Sequence, residues 1–273
     1  MNWTDDALAL IASRTPVALV TLTEVHGSAP RDAGVRMVVW ANGQSGTIGG
    51  GNLEFMVTRE ARELLAGAEQ CLERDYPLGP ILGQCCGGRV SVRIDRRNAA
   101  HIQWLKREAR AEDGAKTPLL LFGAGHVGEA IARAAAPLPF HLSWFDTRAD
   151  YAGEATLIAD PRAIAAAAPE RAFYLIVTHN HDLDYELTRA VLARRDAAYC
   201  GLIGSASKRA RFERQLRADG VAEADIELLC CPIGGVFEIK DKAPAVIAAA
   251  TVAEMLVVRE TIALAQREHL NAE

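Results

Sequence analysis

The chain has 273 residues, enough for one large domain or two of ordinary size. Half of its residues are hydrophobic and 24% are charged, the composition of a globular protein in water. Its net charge of −5 excludes a general nucleic-acid binder, which needs a basic stripe to neutralise phosphates.

The first residues, Met1-Asn2-Trp3-Thr4-Asp5-Asp6, are acidic and lack the basic start of a secretory signal. The most apolar stretch, 243–258, contains Glu254 and is too short and too alanine-rich to span a bilayer. A cytoplasmic protein with no membrane attachment is expected. Its six cysteines should then be thiols. The adjacent pairs Cys85-Cys86 and Cys230-Cys231 do not fit a secreted disulfide framework.

Residues 5–14 read as a helix with Thr4 or Asp5 as N-cap. Residues 17–25 alternate and are β-branched, the pattern of a strand, and 35–40 is a second strand. The loop between them, Gly27-Ser28-Ala29-Pro30-Arg31-Asp32, supplies Ser28 and Arg31, and the second strand supplies Arg36. Ala41-Asn42-Gly43 is a turn signal. The stretch Gly46-Thr47-Ile48-Gly49-Gly50-Gly51-Asn52-Leu53-Glu54 exceeds the needs of a turn. Gly49, Gly50 and Gly51 can form a backbone nest for a phosphate or another oxyanion. Arginine matches phosphate with two parallel hydrogen bonds, so Arg31 and Arg36 are candidate partners.

Residues 53–65 carry apolar side chains at helical spacing, 71–76 and 89–94 read as strands, and 99–111 as a helix. Between those strands lies Leu82-Gly83-Gln84-Cys85-Cys86-Gly87-Gly88-Arg89. Two thiols flanked by glycines and preceded by Gln84 point to soft, sulfur-based chemistry, with Cys85 the candidate metal ligand. The competing reading is two small buried hydrophobes.

Residues 111–117 are polar and without period, which places a domain boundary there. Beyond it 118–122 is a continuous apolar run, as in a strand buried on both faces. Gly123-Ala124-Gly125-His126-Val127-Gly128 follows and opens a helix over 126–136. A glycine turn after a strand and before a helix is the setting of a dinucleotide fingerprint. Asp146 ends the next strand, 140–145, where a ribose-binding carboxylate would sit. Further strands at 173–178 and 198–203 alternate with helices at 183–194 and 207–217, and a long final helix covers 244–264. His179-Asn180-His181-Asp182-Leu183-Asp184 follows the 173–178 strand. Its two histidines and carboxylates invite a metal reading, but the metallo-β-lactamase pattern fails at Leu183 and Asp184. At the carboxyl end of a parallel strand, His179 and His181 are candidate ligand contacts. Ser205-Ala206-Ser207-Lys208-Arg209 can bind an anion or merely cap a helix. The expected fold is α/β: an N-terminal α+β domain over 1–112, followed by a Rossmann-like parallel-sheet domain over 118–273.

Together these stretches resemble the XdhC/CoxI family, the xanthine dehydrogenase accessory proteins. The resemblance runs through Gly27 to Arg31, Gly46 to Glu54, the Gly-Gln-Cys-Cys-Gly-Gly run at 83–88, the glycine turn at Gly123, Thr178 to Asp184, Gly201 to Arg209 and Pro232-Ile233-Gly234. Two positions depart from it. Asn52 stands where the family often has cysteine, and Asp241-Lys242-Ala243-Pro244 replaces a run of Gly-Lys-x-Pro type. The resemblance implies a chaperone that binds the molybdenum cofactor (molybdopterin) transiently, protects it from oxidation, supports its sulfuration and inserts it into xanthine dehydrogenase. It also implies a homodimer whose partners are the xanthine dehydrogenase molybdenum subunit and a cysteine desulfurase. The residues leave two other readings open. One is an oxidoreductase holding NAD(P) or FAD at Gly123, Gly125, Gly128 and Asp146, with His126 or His179 as proton donor. The other is a docking scaffold built on an emptied nucleotide site.

Overall fold

The structure, a computed structural model, describes residues 3–78 and 87–272, with side chains to residue 268. Gln84, Cys85 and Cys86 lie outside the described residues. The chain divides into two compact units, Met1–Gly114 and Ala115–Glu273.

The first unit is an antiparallel sheet with helices on both faces. Its strands are β1 (Val17–His26), β2 (Arg36–Trp40), β3 (Gly43–Gly46), β4 (Cys71–Pro77) and β5 (Arg89–Arg97). They lie in the order β3-β2-β1-β5-β4. Alternation along β1 decides what each face buries. Ala18, Val20 and Leu22 point to one side, where Leu53, Val57, Ala61 and Leu64 of α2 (Gly51–Ala66) cover them. Val17 and Leu19 point to the other, against Ala7 and Ile11 of α1 (Trp3–Ala12) and Leu105 of α3 (Ile102–Gly114). The glycine-poor patterns at 17–25 and 53–65 therefore form the elements expected of them. β3 was hidden, because its sequence Gly-Gln-Ser-Gly has no strand signal and its pairing with β2 alone defines it. The polar stretch at 111–117 is mostly the last turn of α3, so the chain passes between units in the two residues before β6 (Thr117–Phe122).

The second unit is a parallel sheet of β6, β7 (Phe140–Asp146), β8 (Thr156–Leu157), β9 (Phe173–Ile176), β10 (Tyr199–Leu202) and β11 (Leu229–Cys230). Their order, β11-β10-β9-β6-β7-β8, is the doubly wound order in which the winding reverses between β6 and β9. Leu119 and Leu121 of β6 face α4 (His126–Ala135) and α9 (Pro244–Ala272), while Leu120 and Phe122 face α5 (Pro161–Ala166), α6 (His181–Ala193) and α7 (Ala206–Ala218). A strand buried on both faces reads as an unbroken apolar run for this reason. The connection from β7 to β8 contains only a short 3-10 turn, Ala149–Tyr151, where a doubly wound fold usually has a helix. A groove of about 740 Å³ lies there, lined by Leu142, Trp144 and Tyr151 among others.

Candidate functional site

In the first unit the glycine stretch is a tight turn from β3 into α2. Gly49, Gly50 and Gly51 all have positive φ, at 125°, 74° and 64°, which only glycine adopts without strain. Gly49 is also a close approach. A Cβ built on it would lie 2.5 Å from Cγ of Pro30, so the Gly27–Arg31 loop rests on this turn. The nest itself is filled from within. Glu54 Oε2 accepts from the Gly50 amide at 3.1 Å, the Ile48 amide at 3.2 Å and the Thr47 hydroxyl at 2.6 Å, and Gln44 donates to Oε1 at 2.6 Å. The Gly49 N–H donates to Thr47 Oγ1 at 3.2 Å. The expected oxyanion is thus replaced by the chain's own carboxylate, one turn into the helix that the glycines open.

Arg36 is likewise not at this turn. β2 points it to the α1–α3 face, where it bonds Glu108 and lies over the rings of Trp3 and Trp104 at 5.8 and 5.5 Å. Arg31 is exposed at the rim of the Gly49 turn, and no hydrogen bond ties its guanidinium among the described residues.

The segment that carries Gln84, Cys85 and Cys86 leaves and re-enters the sheet close by. Leu78 N–H donates to the Gly88 carbonyl at 2.8 Å, closing the β4–β5 hairpin below it. Gly88 is pressed against the start of the neighbouring loop: a Cβ there would lie 2.4 Å from the Ser28 carbonyl oxygen and 2.6 Å from that of His26. The root of the cysteine segment, Ser28, Arg31 and Gly49 therefore share one end of the sheet.

In the second unit Gly123, Gly125 and Gly128 form the strand–turn–helix that their spacing requires. A Cβ at Gly128 would lie 2.0 Å from the Gly123 carbonyl oxygen, and one at Gly123 2.3 Å from that of Val177. Asp146, expected to face a ribose, is spent inside the chain. Its Oδ2 accepts from Ala124 N–H at 2.6 Å and Arg148 Nη2 at 2.9 Å, and its Oδ1 from Arg148 N–H at 2.8 Å and Nε at 3.0 Å. Its side chain is 2% exposed. Burial by itself would raise this carboxyl, but hydrogen bonds from the Arg148 guanidinium and from the Ala124 and Arg148 amides overcome it and hold it at about 2. The crevice beside it, between Gly123, Asp146, Ile158 and Leu183, has a volume of about 10 Å³, no more than a water molecule needs.

His179 and His181 stand at the adjoining carboxyl edge, between β9 and β10, where a cleft of about 480 Å³ opens. Asn180 caps α6, its Oδ1 accepting from the Asp182 and Leu183 amides at 2.8 and 3.3 Å. Asp184 is buried and bonded to Lys208 and Thr178, which takes it out of any ligand set with the histidines. No group of three metal-binding side chains is assembled among the described residues. Cys230 and Cys231 belong to the core edge: burial first, then Glu254, pushes Cys230 up to about 11, and burial pushes Cys231 to about 11 against the pull of Lys208 and Arg209. Neither is a thiolate near neutrality. Sequence reasoning missed that Glu54 fills the first glycine turn and that Arg148 occupies the Asp146 carboxylate beside the second. Arg148 had a readable signal, since an arginine two residues after a strand-end aspartate can fold back onto it.

Comparison with known proteins accounts for both units. The model of the XdhC and CoxI family matches residues 10–76, and that of the XdhC Rossmann domain matches residues 119–255. The chain belongs to the XdhC and CoxI family. This XdhC-family chain is 31% identical over 274 aligned positions to a protein of Escherichia coli (strain K12) described as uncharacterized protein YqeB. The alignment takes in 95% of this chain and 46% of YqeB, so the chain spans about half the length of that curated relative. Its fold is similar to the crystal structure of a xanthine dehydrogenase from Bacillus halodurans, with a TM-score of 0.78 and 20% identity over 96% of each chain. Among the described residues of this family member, no helix is long and apolar enough to cross a membrane.

Proposed function

We propose that this XdhC-family chain is a carrier of the molybdenum cofactor, which it shields from oxidation, presents for sulfuration and delivers to the molybdenum subunit of a xanthine dehydrogenase. The reading includes a cytoplasmic homodimer that receives sulfur from a cysteine desulfurase. The cofactor is cargo here, a phosphorylated pterin whose dithiolene holds molybdenum. One observation carries the reading: the root of the Cys85-Cys86 segment is fixed at Gly88 against Ser28, at the end of the sheet where Arg31 is exposed beside Gly49. Soft thiols suit molybdenum, and a free guanidinium suits a phosphate. Gly49 to Gly51 serve this end as a rigid turn, with Glu54 supplying the negative charge of the nest and Arg36 engaged elsewhere.

The oxidoreductase reading has less support. Both oxygens of Asp146 are taken by Arg148 and Ala124, and the crevice beside them holds only about 10 Å³. Anaerobic incubation with released molybdopterin, followed by gel filtration and pterin fluorescence, tests the carrier. Retention by the wild-type chain and its loss in Cys85→Ala, with the melting temperature unchanged, is the expected result. Equal retention and equal sulfuration in that variant would remove the thiol from the function. Micromolar binding of NAD(H) or NADP(H) by calorimetry, with hydride turnover, would favour the enzyme instead.

A further inference from the structure

We infer that the cleft between β9 and β10 is a binding site for the phosphate or diphosphate group of a small molecule, separate from the narrow crevice at Asp146 and independent of the carrier reading. The cleft is lined by His179, His181, Ser205, Ser207, Lys208 and Arg211, together with the ends of the two strands. Its volume of about 480 Å³ exceeds that of a phosphate alone and leaves room for an attached organic group.

Lys208 is the central group. Its side chain is 9% exposed and its ammonium donates to Asp184 Oδ2 at 2.5 Å and to the Ile203 carbonyl at 2.9 Å. An ammonium has three N–H groups. The third has no oxygen or nitrogen acceptor among the described residues, the ammonium lying 5.3 Å from the Phe212 ring centre, and Lys208 lines the cleft. A buried donor of this kind costs free energy unless a ligand meets it. The Lys208 ammonium offsets the charge of Asp184 at Oδ2, and Thr178 occupies its Oδ1 through both the amide, at 3.2 Å, and the hydroxyl, at 2.7 Å. Arg211 has no carboxylate partner among the described residues and lies 5.3 Å from the Phe212 ring.

The first turns of α6 and α7 both open on this cleft, so two positive helix ends face it as well. Lys208 and Asp184 cancel as an ion pair, so the net positive charge of the lining is the single guanidinium of Arg211. Several donors spread around an open space match the three terminal oxygens of a phosphate better than the two of a carboxylate. At the glycine turn the corresponding amide, Ala124 N–H, is already bonded to Asp146.

Calorimetry of the full chain with inorganic phosphate and with pyrophosphate tests the site. Binding of at least one is expected, and the tighter of the two tells a monoester from a diphosphate ligand. Arg211→Ala should weaken it roughly tenfold, the loss of one charge-assisted contact. Ser207→Glu places a carboxylate at the exposed mouth, in the first turn of α7 where a negative charge favours the helix. It should abolish binding while leaving the melting temperature equal or higher, so a folding defect cannot mimic the result. Failure of the wild-type chain to bind either anion at millimolar concentration, or binding that survives both substitutions, would overturn the assignment.

Discussion

Replacing Asp146 with asparagine separates a structural carboxylate from a ribose ligand. In the folded chain this carboxyl sits at about 2 instead of its usual 3.8, held there against burial by Arg148 and the Ala124 amide. At about 1.4 kcal/mol for each pH unit, the ionised group contributes about 2.5 kcal/mol to the folded state near neutrality. The carboxylate is almost fully buried but its partner Arg148 is a quarter exposed, so solvent screening trims this figure. A lowered folded value means that the contribution is fully present above about pH 4 and is lost as the pH falls toward 2, with roughly half remaining at pH 3. Asp146→Asn should therefore destabilise the second unit by about 2–3 kcal/mol at pH 7 and by much less near pH 2. Pulsed hydrogen exchange across a urea series, read on peptides from β6 and β9, reports that unit alone. Equal stability of variant and wild type at neutral pH, combined with loss of NAD binding, would show that Asp146 serves a nucleotide and that its pairing with Arg148 is incidental.

Two further outcomes follow from the glycine sites. Glu54→Ala empties the nest at Gly49 to Gly51. It should cost the first unit about 1–3 kcal/mol through the orphaned Ile48 and Gly50 amides. It should also create an anion site, seen as amide shifts of residues 48–51 on titration with sulfate; the wild-type chain shifting equally would mean that Glu54 does not hold the nest. Gly128→Ala drives a Cβ into the Gly123 carbonyl and should cost about 3 kcal/mol or more, whereas Gly125→Ala meets open space and should cost far less. Equal melting temperatures for the two variants would contradict the packing described for this turn.

Local physics made much of this molecule readable in one dimension. The alternation in 17–25, the unbroken apolar run at 118–122 and the helical spacing at 53–65 and 126–136 reflect side-chain periods set by backbone geometry, and each became the element it implied. Gly123, Gly125 and Gly128 were equally legible, because a strand meeting a helix so closely leaves no room for a Cβ at the first and third of them. The cluster at His179 to Asp184 could be placed on a ligand-facing edge from its position after a strand, but its chemistry could not.

What occupies each site was decided by contacts made after folding. Three glycines announce a nest, yet whether an external anion or Glu54 fills it depends on where the first turn of α2 directs one carboxylate. Arg36 looked available until β2 turned it between Trp3 and Trp104, on the face away from the glycines. Lys208 and Asp184 are 24 positions apart, and only the parallel pairing of β9 with β10 brings α6 and α7 side by side so that the two charges meet. Backbone periods are properties of neighbouring residues and survive in the sequence. Which charge finds which partner is a property of three-dimensional proximity, and for this chain it turned two apparent anion sites into turns filled by the chain's own carboxylates, Glu54 in the first unit and Asp146 in the second.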